Sequence, residues 1–440
     1  MIKKRAYSIL AILTIGLLES YIYNLYGYQM LTFFFLSGIF IVSADLWALN
    51  HGTFKAMNQL EVRRILEREE MKKGDMVRAE LTIRNPSKRN LHFQYFDTLA
   101  DVFDLKGDYT DSVYLKKGET VKKTYYLSPE AIGKYSIGPL KVICSDALGL
   151  GFIEYVADLI STARIGPSSK DTFMQRSERL SNVIFTNGLH ISRKAGQGYN
   201  FFGIRSYNDS DDMRHVAWNR YNLTGNDELF VKEWEEERQI DAIILIDYSI
   251  GSNLGYGKLR MFDFMVTSAI NASYTMLKNQ DRVGYIIFSS DHQIYIKPSS
   301  RSESIENLQK KVAEIRPSGT FNIGAANRYI RKTVKKNAMI FMIISPYSGK
   351  NTEEVLPQDL RMEKQEYMYI INPRGFYETH DTEIIGVFGN ALIINENKIL
   401  DTNVKFYRKF GIVARNVMKE RILVSLISDY INGRESNRGA

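Results

Sequence analysis

Two long apolar stretches open the chain. They cover residues 6–24 and 29–47, and each is close to the ~20 residues that a helix needs to cross a bilayer. Only residues 25–28 separate them, so we predict a transmembrane hairpin of two helices within residues 1–50. A cleavable signal peptide is the alternative for the first stretch, but no small-x-small cleavage site follows it.

The basic residues that flank this hairpin indicate its direction. Lys and Arg lie before the first apolar stretch and after the second, whereas the short link between them has none; the flanking residues are Lys3, Lys4, Arg5, Lys55, Arg63 and Arg64. Positive residues stay on the cytoplasmic side of a membrane. We therefore expect a two-helix cell-membrane protein whose soluble part, like both termini, is cytoplasmic.

Short segments of alternating apolar and polar residues follow between residues 60 and 165, for example MVRAELTIRN and TVKKTYYLSP. Turn signals such as KGD, NPS and KGE separate them. This spacing predicts an antiparallel β-sandwich of the immunoglobulin-like kind. Cys144 falls in one of these strands and is expected in its core.

The pattern changes again after a polar, irregular segment at residues 166–239. From residue 240 to 400, nearly continuous apolar runs such as IDAIILID and AMIFMIIS alternate with helical periodicity. Such runs are typical of strands that are covered on both faces. The alternation predicts an α/β domain with a doubly wound, mainly parallel sheet, followed by a C-terminal helix within residues 401–440. A helix is also expected at about residues 353–364.

Candidate chemistry lies where the first buried strand ends, because open α/β sheets bind ligands at the carboxyl ends of their strands. Asp247 and Ser249 follow that strand, and Thr320 begins a later helix. Carboxylate and hydroxyl oxygens suit a hard cation such as Mg²⁺. The alternative is that Asp247 and Ser249 only cap the loop and the following helix.

Composition excludes several functions. The 58 Lys and Arg against 50 Asp and Glu give a net charge of +8 over 440 residues, which is too dispersed to indicate nucleic-acid binding. The glycine-rich segment 251–259 has neither the spacing nor the Ser or Thr of a phosphate-binding loop. The histidines have no zinc-ligand spacing, and no GxSxG nucleophile motif occurs. We therefore do not expect an enzyme.

The most specific motif precedes the α/β domain. It reads GQGYNFFGIRSYNDSDDMRHVAW (196–218) and then ELFVKEWEEER (228–238). This resembles the signature of the domain of unknown function 58 (DUF58) family, except that Asn208, Asp209 and Ser210 replace a usual Gly. The resemblance extends to the β domain and the hairpin. The signature positions are Gly203, Arg205, Tyr207, Asp211, Asp212, Arg214, Trp218, Glu237 and Arg238.

The α/β domain carries a second resemblance. Asp247-x-Ser249, with the later Ser-Gly-Thr320-x-Asn-Ile-Gly, is similar to the metal-ion-dependent adhesion site of von Willebrand factor A domains. That family holds its metal with Asp-x-Ser-x-Ser, a Thr and an Asp from a third loop. Gly251 replaces the second Ser here, and Ser345 replaces the Asp. The resemblance implies a degenerate site that binds Mg²⁺ weakly or not at all.

Two classes of function follow. The first is a binding or scaffold protein, which the DUF58 resemblance links to a MoxR-type AAA+ ATPase and to assembly or maturation of cell-envelope or other complexes. The second is a metal-assisted hydrolase that uses the same pocket.

The signature residues around Arg205 have two interpretations as well. They form either an internal ion-pair cluster that clamps this segment to the α/β domain or a surface that binds a partner.

Overall fold

The computed structural model describes residues 3–24, 29–146, 148–168, 195–219, 229–235, 239–255, 259–335, 338–349, 367–376 and 383–437. These residues divide into two compact units, Met1–Ser168 and Ser169–Ala440, which are described separately. The expected helix at 353–364 and the link at 25–28 lie outside the described residues.

The first unit begins with two long helices, α1 (Lys4–Asn24) and α2 (Gln29–Trp47). Both are long and apolar enough to cross a membrane, and most of their side chains are exposed in the protein itself. They pack closely through small residues: a Cβ at Gly16 would lie 2.4 Å from the ring of Phe35. Exposed apolar side chains over this length fit a membrane anchor.

The hairpin's open end contacts a turn of the β domain. Lys3 donates from its backbone N–H to the carbonyl of Leu150 (2.8 Å) and from its ammonium to the carbonyl of Gly149 (3.1 Å). On the other helix, the Asp45 carboxylate accepts from the Leu148 N–H at 3.2 Å. The N-terminus and the β domain therefore lie at the same end of the hairpin. A π-helix (Ala48–Thr53) and the short α3 (Phe54–Met57) lead from α2 into the first strand.

The rest of this unit is β structure. One sheet has the order β1-β3-β7-β5, and the other has the order β2-β10-β8-β4-β6 with β9 also paired to β8. Its strands are β1 (Glu61–Leu66), β2 (Glu70–Lys72), β3 (Val77–Arg84), β4 (Leu91–Leu99), β5 (Phe103–Gly107), β6 (Thr110–Leu115), β7 (Thr120–Pro129), β8 (Gly133–Ser145), β9 (Phe152–Ala157) and β10 (Ser161–Gly166).

The core of the β domain comes from the predicted alternation. In β3, residues 77, 79, 81 and 83 are buried, and the residues between them are more exposed. All pairs are antiparallel except β2 with β10. Cys144 is buried, as expected, and its thiol donates to the His92 carbonyl at 3.0 Å. Burial raises the pKa of this thiol to about 11, so it is an unreactive core residue.

The second unit contains a hairpin, β11 (Ala195–Ser206) with β12 (Phe230–Glu235), and a mixed six-stranded sheet. The sheet consists of β13 (Asp241–Asp247), β14 (Arg282–Phe288), β15 (Gln293–Ser299), β16 (Met339–Ile343), β17 (Tyr367–Arg374) and β18 (Val413–Met418). Their spatial order is β15-β14-β13-β16-β17-β18, and only β15 is antiparallel to its neighbour.

Helices cover both faces of this sheet. They are α4 (Met261–Lys278), α5 (Glu303–Glu314), α6 (Ile323–Thr333), α7 (Glu383–Arg408) and α8 (Ile422–Asn437). Helices α6 and α7 share a core with Ile243 and Leu245 on one face. On the other face, Tyr285 donates its hydroxyl to Ser273 of α4 (2.6 Å), and Gly433 of α8 packs against Met339.

The expectation of a single helix near the C-terminus was wrong. Helix α7 ends at Arg408, Gly411 adopts a positive φ of 78°, and β18 then joins the sheet beside β17 before α8 begins. Glycine reaches this conformation without steric cost, so the chain can reverse there. The polar residues Arg415 and Asn416 hid the strand, because edge strands lack the continuous apolar run of central ones. The α/β sheet thus includes residues from the predicted C-terminal segment.

Candidate functional site

The candidate site lies at the point where the order of the sheet reverses. Strand β13 is central, and the next strand in the chain, β14, lies on one side of it, whereas β16 lies on the other. In open α/β sheets, ligands bind in the crevice between two adjacent strands whose connections leave in opposite directions, and β13 and β16 are such a pair. Asp247 ends β13, and Ser345 lies just beyond β16. We call this region the switch-point crevice.

Asp247 ties the two loops of the crevice together. Its carboxylate is fully buried; Oδ1 accepts the backbone N–H of Ser249 at 2.8 Å, and Oδ2 accepts the backbone N–H of Ser345 at 2.9 Å. A buried carboxylate is tolerated when N–H donors replace its hydration. Asp247 therefore acts first as a bracket that fixes both loops relative to the sheet.

The loop after Asp247 is fixed by further hydrogen bonds. Ser345 Oγ donates to the carbonyl of Gly251 (2.8 Å), and Ser252 Oγ donates to the carbonyl of Ser249 (2.7 Å). A Cβ at Gly251 would lie 3.4 Å from Ser345 Oγ and 3.5 Å from Ser249 Oγ. Gly251 and Ser345, the two positions at which the sequence departs from the adhesion-site pattern, thus contact each other.

Thr320 lies on the neighbouring loop. This loop reaches the first one through backbone bonds: the N–H of Ile250 donates to the carbonyl of Gly319 (3.1 Å), and the N–H of Ser318 donates to the carbonyl of Tyr248 (3.0 Å). Thr320 itself is exposed, and its N–H donates to Ser290 Oγ at 3.0 Å. The structure therefore brings together the segments that carry Asp247, Ser249 and Thr320.

A hard cation fits these residues poorly. Mg²⁺ takes six oxygen ligands in an octahedral arrangement, usually one or two carboxylates together with several waters. Both oxygens of the Asp247 carboxylate already accept backbone N–H groups. A second carboxylate, Asp291, lies beside the Thr320 loop: a Cβ at Gly319 would be 2.6 Å from its Oδ1. The hydroxyl of Ser345 is turned to the Gly251 carbonyl. Within the described residues, no group of three or more His, Cys, Asp or Glu could hold a metal.

The DUF58-like signature residues form a second cluster, on the β11–β12 hairpin. Arg205 donates from Nη1 and Nη2 to the two oxygens of Asp211 (2.6 and 2.5 Å) and from Nε to Glu233 (2.8 Å). The fork of Arg205, together with the Asn208 N–H, lowers the pKa of Asp211 to about 2. The Arg205 side chain is 43% exposed, so this is a surface cluster and not an internal one.

The other signature residues have separate roles. Asp212 accepts the Arg214 N–H at 2.9 Å and caps a short turn of 3₁₀ helix. The Tyr207 N–H donates to the Leu229 carbonyl, and Gly203 pairs with Glu233 in the hairpin ladder. Trp218 is 52% exposed. Glu237 and Arg238 lie outside the described residues.

Sequence reasoning missed an exposed apolar residue at the crevice. Ile250 has 71% of its surface exposed, directly beside Ser249. Its apolar type suggested no function, because alternation cannot distinguish a buried Ile from one displayed on a loop. The role of Ser345 was missed as well: it bonds to Asp247 and Gly251 from a loop almost a hundred residues later in the chain, and only the sheet order brings them together.

The chain was compared with known families and proteins. Residues 203–361 match the family described as "Protein of unknown function DUF58", which supports the resemblance seen in the signature. No curated protein matches the chain.

Some solved structures are weakly similar. An aerotolerance-related membrane protein from Bacteroides fragilis NCTC 9343 is 14% identical, with a TM-score of 0.26 over 44% of this chain and 98% of that one. A FixG-related protein from Vibrio parahaemolyticus is 12% identical, with a TM-score of 0.18 over 24% of this chain and 94% of that one. Native alpha-2-macroglobulin from Escherichia coli is 17% identical, with a TM-score of 0.21 over 24% and 17%. Similarities of this size define neither fold nor function.

Proposed function

We propose that this chain is a membrane-anchored scaffold that binds a protein partner at the switch-point crevice and catalyses no reaction itself. One observation carries the proposal. Ile250 is 71% exposed on a loop that hydrogen bonds hold in place on both sides of it. The loop thus displays an apolar side chain in a fixed position.

Such an arrangement suits binding. A loop whose backbone is already fixed loses little conformational entropy when a partner covers it. Anchors of this kind, at the centre of an interface, contribute most of the binding energy. The bracket at Asp247 fixes the loop through backbone amides of the chain itself, so the surface is preformed. We propose that the α/β domain is a degenerate von Willebrand factor A-like domain, in which this surface would correspond to the adhesion site.

The hydrolase alternative has less support. A general base needs a carboxylate or imidazole that can reach a proton of the substrate or of an attacking water. Asp247 is fully buried, with each oxygen accepting a backbone N–H. Its geometry suits the fixing of loops better than proton transfer.

The proposed partner is a MoxR-type AAA+ ATPase, which follows from the resemblance to the DUF58 family. We propose that the hairpin spans the cell membrane and holds the soluble domains on the cytoplasmic side, where such an ATPase has its nucleotide. The scaffold would then bring the ATPase to cell-envelope or other complexes during their assembly or maturation. The partner would supply the energy, and this chain would supply the attachment.

The test compares two substitutions of equally exposed isoleucines. Tagged wild type, Ile250→Asp and Ile394→Asp would be purified from membranes of the native host, and bound proteins would be identified by mass spectrometry. Ile394 is 68% exposed on α7 and serves as the matched control. We expect a MoxR-type ATPase with wild type and Ile394→Asp but not with Ile250→Asp. Equal recovery with Ile250→Asp would exclude the crevice, and its absence from all three would exclude this partner.

A further inference from the structure

One end of the β domain faces the hairpin. The strand registers place three links between strands at this end, at residues 85–90, 116–119 and 146–151. The third link contacts Lys3 before α1 and Asp45 near the end of α2. We call these three links together the hairpin-side end of the β domain.

A buried asparagine joins the first two links. The side-chain amide of Asn85 donates to the carbonyls of Arg89 (2.8 Å) and Lys116 (3.2 Å), and its backbone carbonyl accepts the Gly118 N–H at 2.7 Å. Asn85 has no exposed surface, and a buried amide with its hydrogen bonds made holds its neighbours in place. The two links therefore form one surface, although they are far apart in the sequence.

This surface carries four basic side chains. All four are exposed, and none of them forms an ion pair within the described residues; they are Lys88, Arg89, Lys116 and Lys117. Two carboxylates of the hairpin-side end serve its own main chain: Glu119 accepts the Lys116 N–H at 2.8 Å, and Asp146 accepts the Gly151 N–H at 3.0 Å. The four cations are thus available to an anionic ligand.

The opposite end of the domain has the opposite charge. Its links carry six carboxylates and two basic residues; these links are residues 67–69, 73–76, 100–102, 130–132 and 158–160. Scattered surface charge would not separate by sign along the strands. The β domain is therefore polarised, with its positive end toward the hairpin.

Arg89 lies level with the lipid headgroups. Its guanidinium lies over Gly52, in the space that a Cβ would occupy, and Gly52 belongs to the π-helix that continues α2. Gly52 comes five residues after Trp47, which is 62% exposed and is the kind of residue that settles at a membrane interface. Five helical residues span about 6–8 Å, and the headgroup region on each side of a bilayer is about 5–8 Å thick.

An exposed apolar side chain accompanies the basic ones. Leu148 is 50% exposed on the third link, and its N–H donates to the Asp45 carboxylate at 3.2 Å. An apolar side chain held against the last turn of a membrane helix lies where it can enter the boundary of the acyl chains. A lipid surface, with apolar chains below a charged headgroup, suits this combination better than a soluble acidic protein does.

We propose that the hairpin-side end of the β domain binds anionic phospholipid headgroups of the membrane that the hairpin spans. The four basic side chains bond to headgroup phosphates, and Leu148 enters the bilayer beside them. Basic clusters next to the cytoplasmic end of a transmembrane helix attract anionic lipids, and an arginine fork pairs well with phosphate. The inference rests on the proposed span and direction of the hairpin, and not on the switch-point crevice.

The test titrates the full-length chain, in a neutral detergent, with phosphatidylglycerol and separately with phosphatidylcholine, and counts bound lipids by native mass spectrometry. A glutamine variant removes the four charges: Lys88→Gln, Arg89→Gln, Lys116→Gln and Lys117→Gln. A charge-retaining variant carries Lys88→Arg, Lys116→Arg and Lys117→Arg. The matched control removes four charges at exposed positions in the opposite half of the domain: Arg68→Gln, Lys72→Gln, Lys106→Gln and Lys134→Gln.

We expect wild type to bind phosphatidylglycerol more tightly than phosphatidylcholine. The glutamine variant should bind phosphatidylglycerol about tenfold or more weakly, because several phosphate contacts are lost. The charge-retaining variant, the control and Ile250→Asp should all bind it as wild type does, which separates this site from the crevice.

Three results would overturn the proposal. The first is a glutamine variant that binds phosphatidylglycerol as tightly as wild type. The second is an equal loss in the control, which would show a dependence on net charge alone. The third is displacement of the lipid by an equal amount of soluble glycerol phosphate, which would assign the surface to a soluble phosphate ligand.

Discussion

Asp429 is a buried carboxylate that costs stability when it ionises. Burial raises its pKa to about 6 from an ordinary 3.8, although Arg415 Nη2 lies 2.8 Å from Oδ1. Because the folded state holds this proton more tightly than the unfolded state, the residue stabilises the fold most below about pH 4. That contribution is lost as the pH rises through 6.

Replacing Asp429 with Asn should therefore stabilise the protein at neutral pH. We expect Asp429→Asn to raise the free energy of unfolding at pH 7 by about 1–2 kcal/mol and to have a smaller effect at pH 4.5. Thermal unfolding of the full chain in detergent at the two pH values measures this. Glu420→Gln, at an exposed carboxylate nearby, is the control. An equal effect of Asp429→Asn at both pH values would contradict the prediction.

Asp247 is expected to act as a structural bracket. Asp247→Ala leaves the buried N–H groups of Ser249 and Ser345 without acceptors, so we expect it to cost about 2–4 kcal/mol of unfolding free energy. Asp291→Ala, at an exposed carboxylate on a nearby loop, should lower the free energy of unfolding only slightly.

We further expect Mg²⁺ to leave the melting temperature of the wild type unchanged. A rise in melting temperature with Mg²⁺ that Asp247→Ala abolishes would establish the metal site instead.

At the scale of elements, Arg64 joins the two sheets of the β domain. It lies on β1, and its guanidinium forms a buried ion pair with Asp97 on β4 of the other sheet. It also donates to the carbonyl of Ile137 (2.9 Å), and Asp97 accepts the hydroxyl of Tyr125 on β7. Both charged side chains are fully buried, so each depends on the other for compensation.

Removing one member of the Arg64–Asp97 ion pair should therefore lower the stability of the β domain strongly. We expect Arg64→Met to destabilise the β domain by about 3–5 kcal/mol, because the Asp97 charge stays buried without its cation. The double variant Arg64→Met with Asp97→Leu should recover part of that loss. Arg63→Met, at the exposed neighbouring position, is the control. Denaturant unfolding compares the variants, and a double variant less stable than Arg64→Met would contradict this account.

At the scale of the whole molecule, the hairpin's direction can be tested. Lys3, before α1, and Asp45, near the end of α2, both contact the turn at residues 148–150. The N-terminus and the β domain therefore lie at the same end of the hairpin. In a Cys144→Ser background, we expect an impermeant thiol reagent to label Gly27→Cys but not Lys117→Cys in intact cells. Lys117 is in an exposed turn of the β domain, and disruption of the cells should expose it to the reagent. Labelling of Lys117→Cys alone in intact cells would reverse the topology.

The sequence by itself determined the features that depend on local periodicity. The apolar runs predicted both hairpin helices, because a helix that crosses a bilayer needs ~20 mainly apolar residues in succession. The alternation of apolar and polar residues predicted which residues of β3 are buried, and the continuous apolar run before Asp247 predicted the central strand of the α/β sheet. The signature around Arg205 was also visible as a motif, and the match of residues 203–361 supports its family.

The tertiary structure decided what depends on residues far apart in the chain. The sheet order placed Ser345 beside Asp247 and so engaged the carboxylate with two backbone amides. In the same sheet, β15 lies at one edge, and β18, which comes from a segment predicted to be helical, lies at the other. The exposure of Ile250 and the surface position of Arg205 were settled in the same way. Periodicity reports only which neighbours along the chain share a face, whereas each of these features depends on which distant segments pack together.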